Sequence, residues 1–347
     1  GTEQNLVGSA RMTQLLFDGS YIVGLQATKS YIEFFNNALK KTNLEVIKSV
    51  VNAYMNYLLS EANIDFLDKN IENLGSTLRE TNKLLVNGLT EEEKVEQLKI
   101  TLSELNSQRK FAFQFSQLSK DILKITLGFG EKEELNLETS LNSIIDSYIF
   151  KIPEIDSWDL NSNIDIKIAN NYVEQKRLEY KLEQSKALPK LSSFISAAYT
   201  GNSNSFTFND QNQKWFGSAL FGVNLEFPIF SSLGRSASSQ IAKISYEQSK
   251  TKLENTQQQI KVSVKNAKAT YELAFENFSI KKSNMDLAEN IERKNQTKFS
   301  QGMASSFELR QAQKQLFTAQ QNYLESLKNL VTKKTELETL LNIYNNQ

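Results

Sequence analysis

The most constraining feature of this chain is a heptad spacing that runs unbroken from Val46 to Leu78. The positions Val46, Val50, Ala53, Tyr57, Ser60, Ile64, Leu67, Ile71, Leu74 and Leu78 alternate steps of four and three, and only Ser60 is neither apolar nor aromatic. Side chains at that spacing share one stripe of an α-helix, so the segment predicts a long helix with one seam against a neighbour. The same rhythm returns at Ile260, Val264, Ala267, Tyr271, Ala274 and Phe278, and again at Leu309, Ala312, Leu316, Ala319, Tyr323, Leu327 and Leu330. Lys, Glu, Gln and Asn fill the positions between, which marks the remaining faces as wetted. By default these seams are packing surfaces and nothing more. Three prolines and thirteen glycines in 347 residues are too few to punctuate several compact domains. A first helix from about Tyr21 to Asn87 would be roughly 100 Å long at the α-helical rise, a rod rather than part of a globule.

Two similar turns stop these rods. Asn87-Gly88-Leu89-Thr90 precedes Glu91-Glu92-Glu93, and Gln301-Gly302-Met303 precedes Ala304-Ser305-Ser306-Phe307-Glu308. Each offers a glycine for a left-handed helix end, then a Thr or Ser with Glu three residues on, the pattern of a capping box. Both predict helical hairpins. Asn52-Ala53 and Asn266-Ala267 are separated by the same interval as Gly88 and Gly302, about 214 residues, which points to an internal duplication.

The other segments alternate with period two. Trp215, Gly217, Ala219, Phe221, Val223, Leu225 and Phe227 form one face of a strand, with Ser218, Gly222, Asn224 and Glu226 mostly on the other. Leu6, Gly8, Ala10, Met12 and Leu16, opposed by Ser9, Arg11 and Thr13, form another, and Leu191 to Thr200 a third that leads into the polar loop Gly201 to Ser205. Apolar and hydrophilic faces edged by Trp215, Phe227 and Phe230 match barrel strands with aromatic girdles. Three strands do not close a barrel, so the missing edges would come from other chains. No run of about 18 apolar residues suits a membrane-spanning helix, so any crossing would be made by strands.

Composition excludes much chemistry. The chain has neither cysteine nor histidine. It therefore cannot build a thiolate nucleophile, a Ser-His-Asp triad, or a zinc or haem site of the usual ligands, and neither a metal nor another cofactor is expected. The lack of cysteine leaves the redox compartment open. Forty basic residues balance forty acidic ones, which argues against nucleic acid as a partner. A carboxylate-pair hydrolase would need two acids converging in a pocket, and nothing in the sequence suggests one. A soluble coiled-coil scaffold is the rival reading, but its strands would keep an uncovered apolar face. Extraction into detergent rather than buffer separates the two.

The run Ala187-Leu188-Pro189-Lys190-Leu191-Ser192 before a strand and Phe227-Pro228-Ile229-Phe230 feeding a long helix are joined by Phe299-Ser300-Gln301-Gly302 before Ser306-Phe307-Glu308-Leu309-Arg310-Gln311-Ala312. Together, in this order across the whole chain, they resemble the TolC-like outer-membrane factors. The resemblance implies a mainly α fold with a small β part. Long coiled-coil-like hairpins would form an α-barrel, and the strands a trimeric transmembrane β-barrel. It implies a homotrimer in the outer membrane of a Gram-negative bacterium, in contact with its lipid, with a large periplasmic part, a periplasmic adaptor and an inner-membrane transporter as partners, and no enzymatic activity. Small-molecule efflux and type I secretion share such a duct. By comparison with the family, residues 1–127 are a first repeat lacking its leading helix and first strand, 128–163 an equatorial insertion, and 164–347 a second repeat. The chain would then be a fragment, a processed form or the ordered part of a longer protein.

The resemblance also suggests functional positions. Asn87, Gly88, Leu89, Gln301, Gly302 and Met303 match the family's adaptor-docking tips, although Asn and Gln replace the usual valine before glycine. Glu308 and Gln311 match positions lining the closed aperture, and Lys94 occupies the corresponding place in the first half. Glu308 reads equally as a cap, and the acids Glu91, Glu92, Glu93 and Glu96 as a solvated first helical turn. Trp215, Phe221 and Phe227 are the lipid-facing candidates.

Overall fold

A computed structural model describes residues 1–130, 133–137, 141–145 and 158–346. Much of the span assigned to an equatorial insertion, including residues 146–157, lies outside the described residues. The elements are β1 (Gln4–Asp18), α1 (Gly19–Val86), α2 (Glu92–Thr126), a short α3 (Leu141–Ile144), α4 (Ile164–Ser185), β2 (Lys190–Ser203), β3 (Trp215–Glu226), α5 (Gly234–Ser300) and α6 (Ser306–Leu340). The duplication is visible in these bounds. A strand, a helix of 68 residues and a helix of 35 recur as a strand, a helix of 67 and a helix of 35.

The chain divides into two compact units, and each repeat contributes to both. One holds residues 1–38 and 165–257, the other 39–164 and 258–347. In the first, Asn171 Nδ2 of α4 donates to the backbone carbonyl of Ser30 on α1 at 3.0 Å, a buried bond. Gly19, where β1 passes into α1, packs so closely on Leu188 that a Cβ there would approach a Leu188 methyl to 2.6 Å. The Asp18 carboxylate accepts from the Ser20 amide at 2.8 Å and starts the helix.

The second unit contains the seams. Leu67 and Leu74 of α1 pack with Leu98, Leu105 and Ala112 of α2, and Phe317 of α6 closes over them. Each fully buried leucine contributes about 1.5–3 kcal/mol. Polar pairs fix the register: Arg109 Nη2 donates to Asp68 Oδ2 at 3.1 Å between α2 and α1, and Asn70 Nδ2 donates to Gln320 Oε1 at 2.8 Å between α1 and α6. Phe278 of α5 meets Tyr323 of α6 with ring centroids 5.8 Å apart. The Ile260 to Phe278 seam is buried as read, and the Leu309 to Leu330 seam is buried except at the half-buried Ala319. The first is not buried throughout, because Val46 is exposed while Leu44, Met55, Leu58 and Leu59 are buried. The reason is that α1 packs on both α2 and α6, and two flanking helices cover more than one stripe.

The sheet has the order β1-β2-β3, antiparallel throughout. Two local expectations change. β2 does not stop at Thr200, because Gly201, Asn202 and Ser203 remain paired with Leu6, Asn5 and Gln4. Leu16 is not on the apolar face. A bulge between Leu15 and Phe17 skips it, so Phe17 pairs with Leu191 and takes that place. Strand β3 ends at Glu226, which leaves Phe227 just beyond it.

Candidate functional site

Residues outside the packing seams gather at two places, the paired helical turns and the sheet. At the first turn Gly88 has φ 70°, its amide donates to Leu85 O at 2.9 Å, and the Leu89 amide donates to Leu84 O at 2.8 Å. At the second, Gly302 has φ 73°, with matching bonds to Phe299 O at 3.0 Å and from Met303 to Lys298 O at 2.8 Å. Both are Schellman ends, in which a left-handed glycine folds two amides back onto the last carbonyls. Leu89 and Met303 project into solvent, and Asn87 and Gln301 are also exposed. The structure brings the two turns together: Ser306 Oγ donates to Gln97 Oε1 at 3.2 Å, and Gln296 Nε2 donates to Thr77 Oγ1 at 3.3 Å.

The helices after the turns start differently. Ser305 and Glu308 form the expected capping box: the Ser305 amide donates to the Glu308 carboxylate at 2.7 Å, and the Glu308 amide donates to Ser305 Oγ at 3.2 Å. These bonds, the Ser305 amide foremost, hold the exposed Glu308 carboxyl below the usual carboxylate range. The box expected at Thr90 and Glu93 does not form. Glu91 takes the N-cap position without a side-chain cap, and Glu93 instead accepts from Gln97 Nε2 at 2.8 Å. With Glu91 as N-cap, the third helical position is Lys94, which has no acceptor to close a box. Lys94 and Glu308 are therefore equivalent positions of the two repeats with opposite charge. Gln311 lies exposed in the next part of α6.

Glu292 was missed by sequence reasoning. It lies at the continuation of the Ile260 to Phe278 seam, where an acid among packing positions was the available signal. It is only 6 % exposed. Burial pushes its carboxyl above the usual range, while a hydrogen bond with Gln313 opposes the shift. Gln313 Oε1 is itself buried without a partner among the described residues. Because the raised folded-state value disfavours the ionised form, this group costs stability as pH rises from the unfolded carboxylate value through the folded one. Glu292→Gln is expected to raise the unfolding temperature at pH 7, by about 1 kcal/mol of stability. That advantage should disappear below about pH 4, as thermal unfolding across pH would show.

The sheet sorts its charged residues onto one face. One face carries the rows Leu6-Gly201-Trp215, Gly8-Tyr199-Gly217, Ala10-Ala197-Ala219, Met12-Ile195-Phe221, Gln14-Ser193-Val223 and Phe17-Leu191-Leu225. No charged side chain lies on it. Phe221 is 67 % exposed and Phe227, beyond the strand, 59 %. The other face mixes polar and apolar side chains and carries Val7-Thr200-Phe216, Ser9-Ala198-Ser218, Arg11-Ser196-Leu220, Thr13-Phe194-Gly222 and Leu15-Ser192-Asn224, with Asp18-Lys190-Glu226 at the helix end. Among the described residues no helix is long and apolar enough to cross a membrane, and no acidic cluster is placed to hold a metal ion.

The family model for outer membrane efflux proteins matches residues 159–342. The chain belongs to that family. Its fold is shared by solved channels of low sequence identity. CusC, described for the changes that accompany its folding and transmembrane channel formation, has a TM-score of 0.75 at 17 % identity, with 97 % of this chain and 83 % of that chain covered. The outer membrane protein VceC from Vibrio cholerae gives 0.71 at 15 % identity, with 98 % and 87 % covered. The Campylobacter jejuni outer membrane channel CmeC gives 0.70 at 13 %, with 98 % and 78 % covered. No curated protein sequence matches the chain. Membership accounts for the mainly helical architecture with its small sheet, and the CusC and CmeC structures that share the fold are described as channels.

Proposed function

We propose that the chain is one protomer of a homotrimeric outer-membrane exit duct in a Gram-negative bacterium. It would serve a tripartite efflux pump or a type I secretion system, passing small molecules or polypeptides across the periplasm and outer membrane without catalysis. The observation that carries this reading is the sheet. An uncharged, exposed apolar face suits lipid, and a strand order that leaves β1 and β3 unpaired at the edges calls for neighbours. A water-soluble scaffold would have to hide both. A second support is a heptad stripe on α2 at Phe111, Phe115, Leu118, Ile122 and Ile125, whose residues are 48–75 % exposed in the single chain. Another exposed apolar series stands on α5 at Leu273, Ile280, Leu287 and Ile291. Stripes of this kind on different helices are suited to a heterologous contact that closes a ring.

On this reading the turns Asn87 to Leu89 and Gln301 to Met303 dock the periplasmic adaptor, an inner-membrane transporter completes the assembly, and Trp215, Phe221 and Phe227 face lipid. The decisive measurement is native mass in detergent. Three chains per particle, with no folded monomer before denaturation, are expected; a stable monomer would overturn the proposal.

Glu308, Gln311 and Lys94 are assigned to the aperture. Three symmetry-related Glu308 carboxylates would concentrate cations and disfavour anions. Glu308→Gln keeps much of the capping geometry and removes the charge. In planar-bilayer recordings it should lower cation selectivity, and the difference should fade in high salt. Unchanged selectivity would leave Glu308 as a cap alone.

A further inference from the structure

We propose that Arg11, seated on Phe194, forms a ring at mid-height of the β-barrel interior that favours anionic solutes at that level. This rests on reading the sheet as barrel wall. The charged and polar face then looks inward, because the opposite face has no charge across all three strands. On the inward face the charged residues fall in two places. At the helix end Lys190 Nζ lies 3.5 Å from Asp18 Oδ2, and Glu226 stands opposite Lys190 on β3, so that row is net negative. In mid-sheet Arg11 is the one charged residue.

Each strand contributes one part of its seat. The Arg11 guanidinium carbon of β1 lies 4.2 Å from the centroid of the Phe194 ring on β2. That ring in turn covers Gly222 of β3, where an added Cβ would come within 2.7 Å of it. Glycine lets the ring lie against the sheet, and the ring offers its face to the cation. The contact fixes the guanidinium near the wall, where it leaves the passage open. It does not neutralise the charge, since a ring quadrupole carries none, and among the described residues Arg11 pairs with no carboxylate. Closing the trimer would set three such cations at one level of the lumen. An anion passing that level is attracted and a cation repelled, most strongly at low ionic strength.

The chain has no cysteine, so one introduced thiol reports the local potential. Ser196 lies directly opposite Arg11 on the inward face, and the next residue, Ala197, lies on the other face. In the full-length channel reconstituted in lipid, Ser196→Cys is modified with membrane-impermeant thiosulfonates, one anionic and one cationic. The rate ratio is normalised to a small free thiol in the same buffer. We expect the anionic reagent to be favoured by about fourfold at 0.01 M salt, given a single charge about 8 Å away, and the preference to vanish near 1 M. Adding Arg11→Gln should abolish it, and Arg11→Lys should retain it. No salt-dependent anion preference at Ser196→Cys, in the background with Arg11 intact, would overturn the proposal without any substitution at Arg11. If Ala197→Cys reacts and Ser196→Cys does not, the assignment of the inward face fails instead.

Discussion

Phe221→Arg is expected to block stable insertion of the assembled channel, whereas Asn224→Arg, three residues further along the same strand, is tolerated. Phe221 sits mid-strand in the row Met12-Ile195-Phe221 on the uncharged face, and Asn224 in the row Leu15-Ser192-Asn224 on the other. An arginine facing lipid near the bilayer midplane costs about 2–4 kcal/mol, and a trimer would carry that cost three times. An arginine facing a watery lumen has no comparable desolvation to meet. The fraction of protein recovered as folded, membrane-integrated trimer measures the difference. Equal recovery of both variants, or loss of Asn224→Arg alone, would mean that the faces are assigned the wrong way round.

Lys334→Met should be strongly destabilising to the helical unit. Lys334 is 1 % exposed, and its ammonium lies 3.7 Å from Glu338 Oε1, one helical turn away on α6. Tyr344 also donates its hydroxyl to that carboxylate. Removing the lysine takes the cationic partner from a nearly buried carboxylate, and breaking such a pair costs about 3–5 kcal/mol. The double change Lys334→Met with Glu338→Leu removes both charges and should recover most of the loss, because well-packed apolar side chains often replace a buried ion pair at no net cost. Thermal unfolding of the protein, with wild type, both singles and the double compared, gives the coupling. If Lys334→Met unfolds with the wild type, the pair contributes nothing to stability.

The helices, the strands and the two turns follow from the sequence because each depends on neighbours within a few residues. Steps of four and three place Leu67, Leu74 and Leu78 on one side of a helix whatever else the chain does, and alternation places Phe221 opposite Asn224. A glycine after a long polar-flanked helix accounts for Gly88 and Gly302. The equal spacing of the two halves makes the duplication visible before any coordinates. Absence of cysteine and histidine limits the chemistry just as directly. The exposed stripe from Phe111 to Ile125 has the same spacing as the recognised seams but was missed by sequence reasoning.

Other features required the tertiary structure. Whether Thr90 or Glu91 caps α2 turned on a one-residue shift in the helix start, which put Lys94 where a box needs an acceptor. The bulge that exchanges Leu16 for Phe17 depends on pairing with Leu191 and Ser192 of β2, far along the chain. Burial of Glu292, Lys334 and Glu338 could not be read from their own segments, because helices covered on two sides bury positions that a single seam would leave wet. The stack of Gly222, Phe194 and Arg11 joins three strands whose sequences are unremarkable one by one. Local periodicity states which way a side chain points, but the partner it meets there is set by register between distant strands and helices, and that register exists only once the chain has folded.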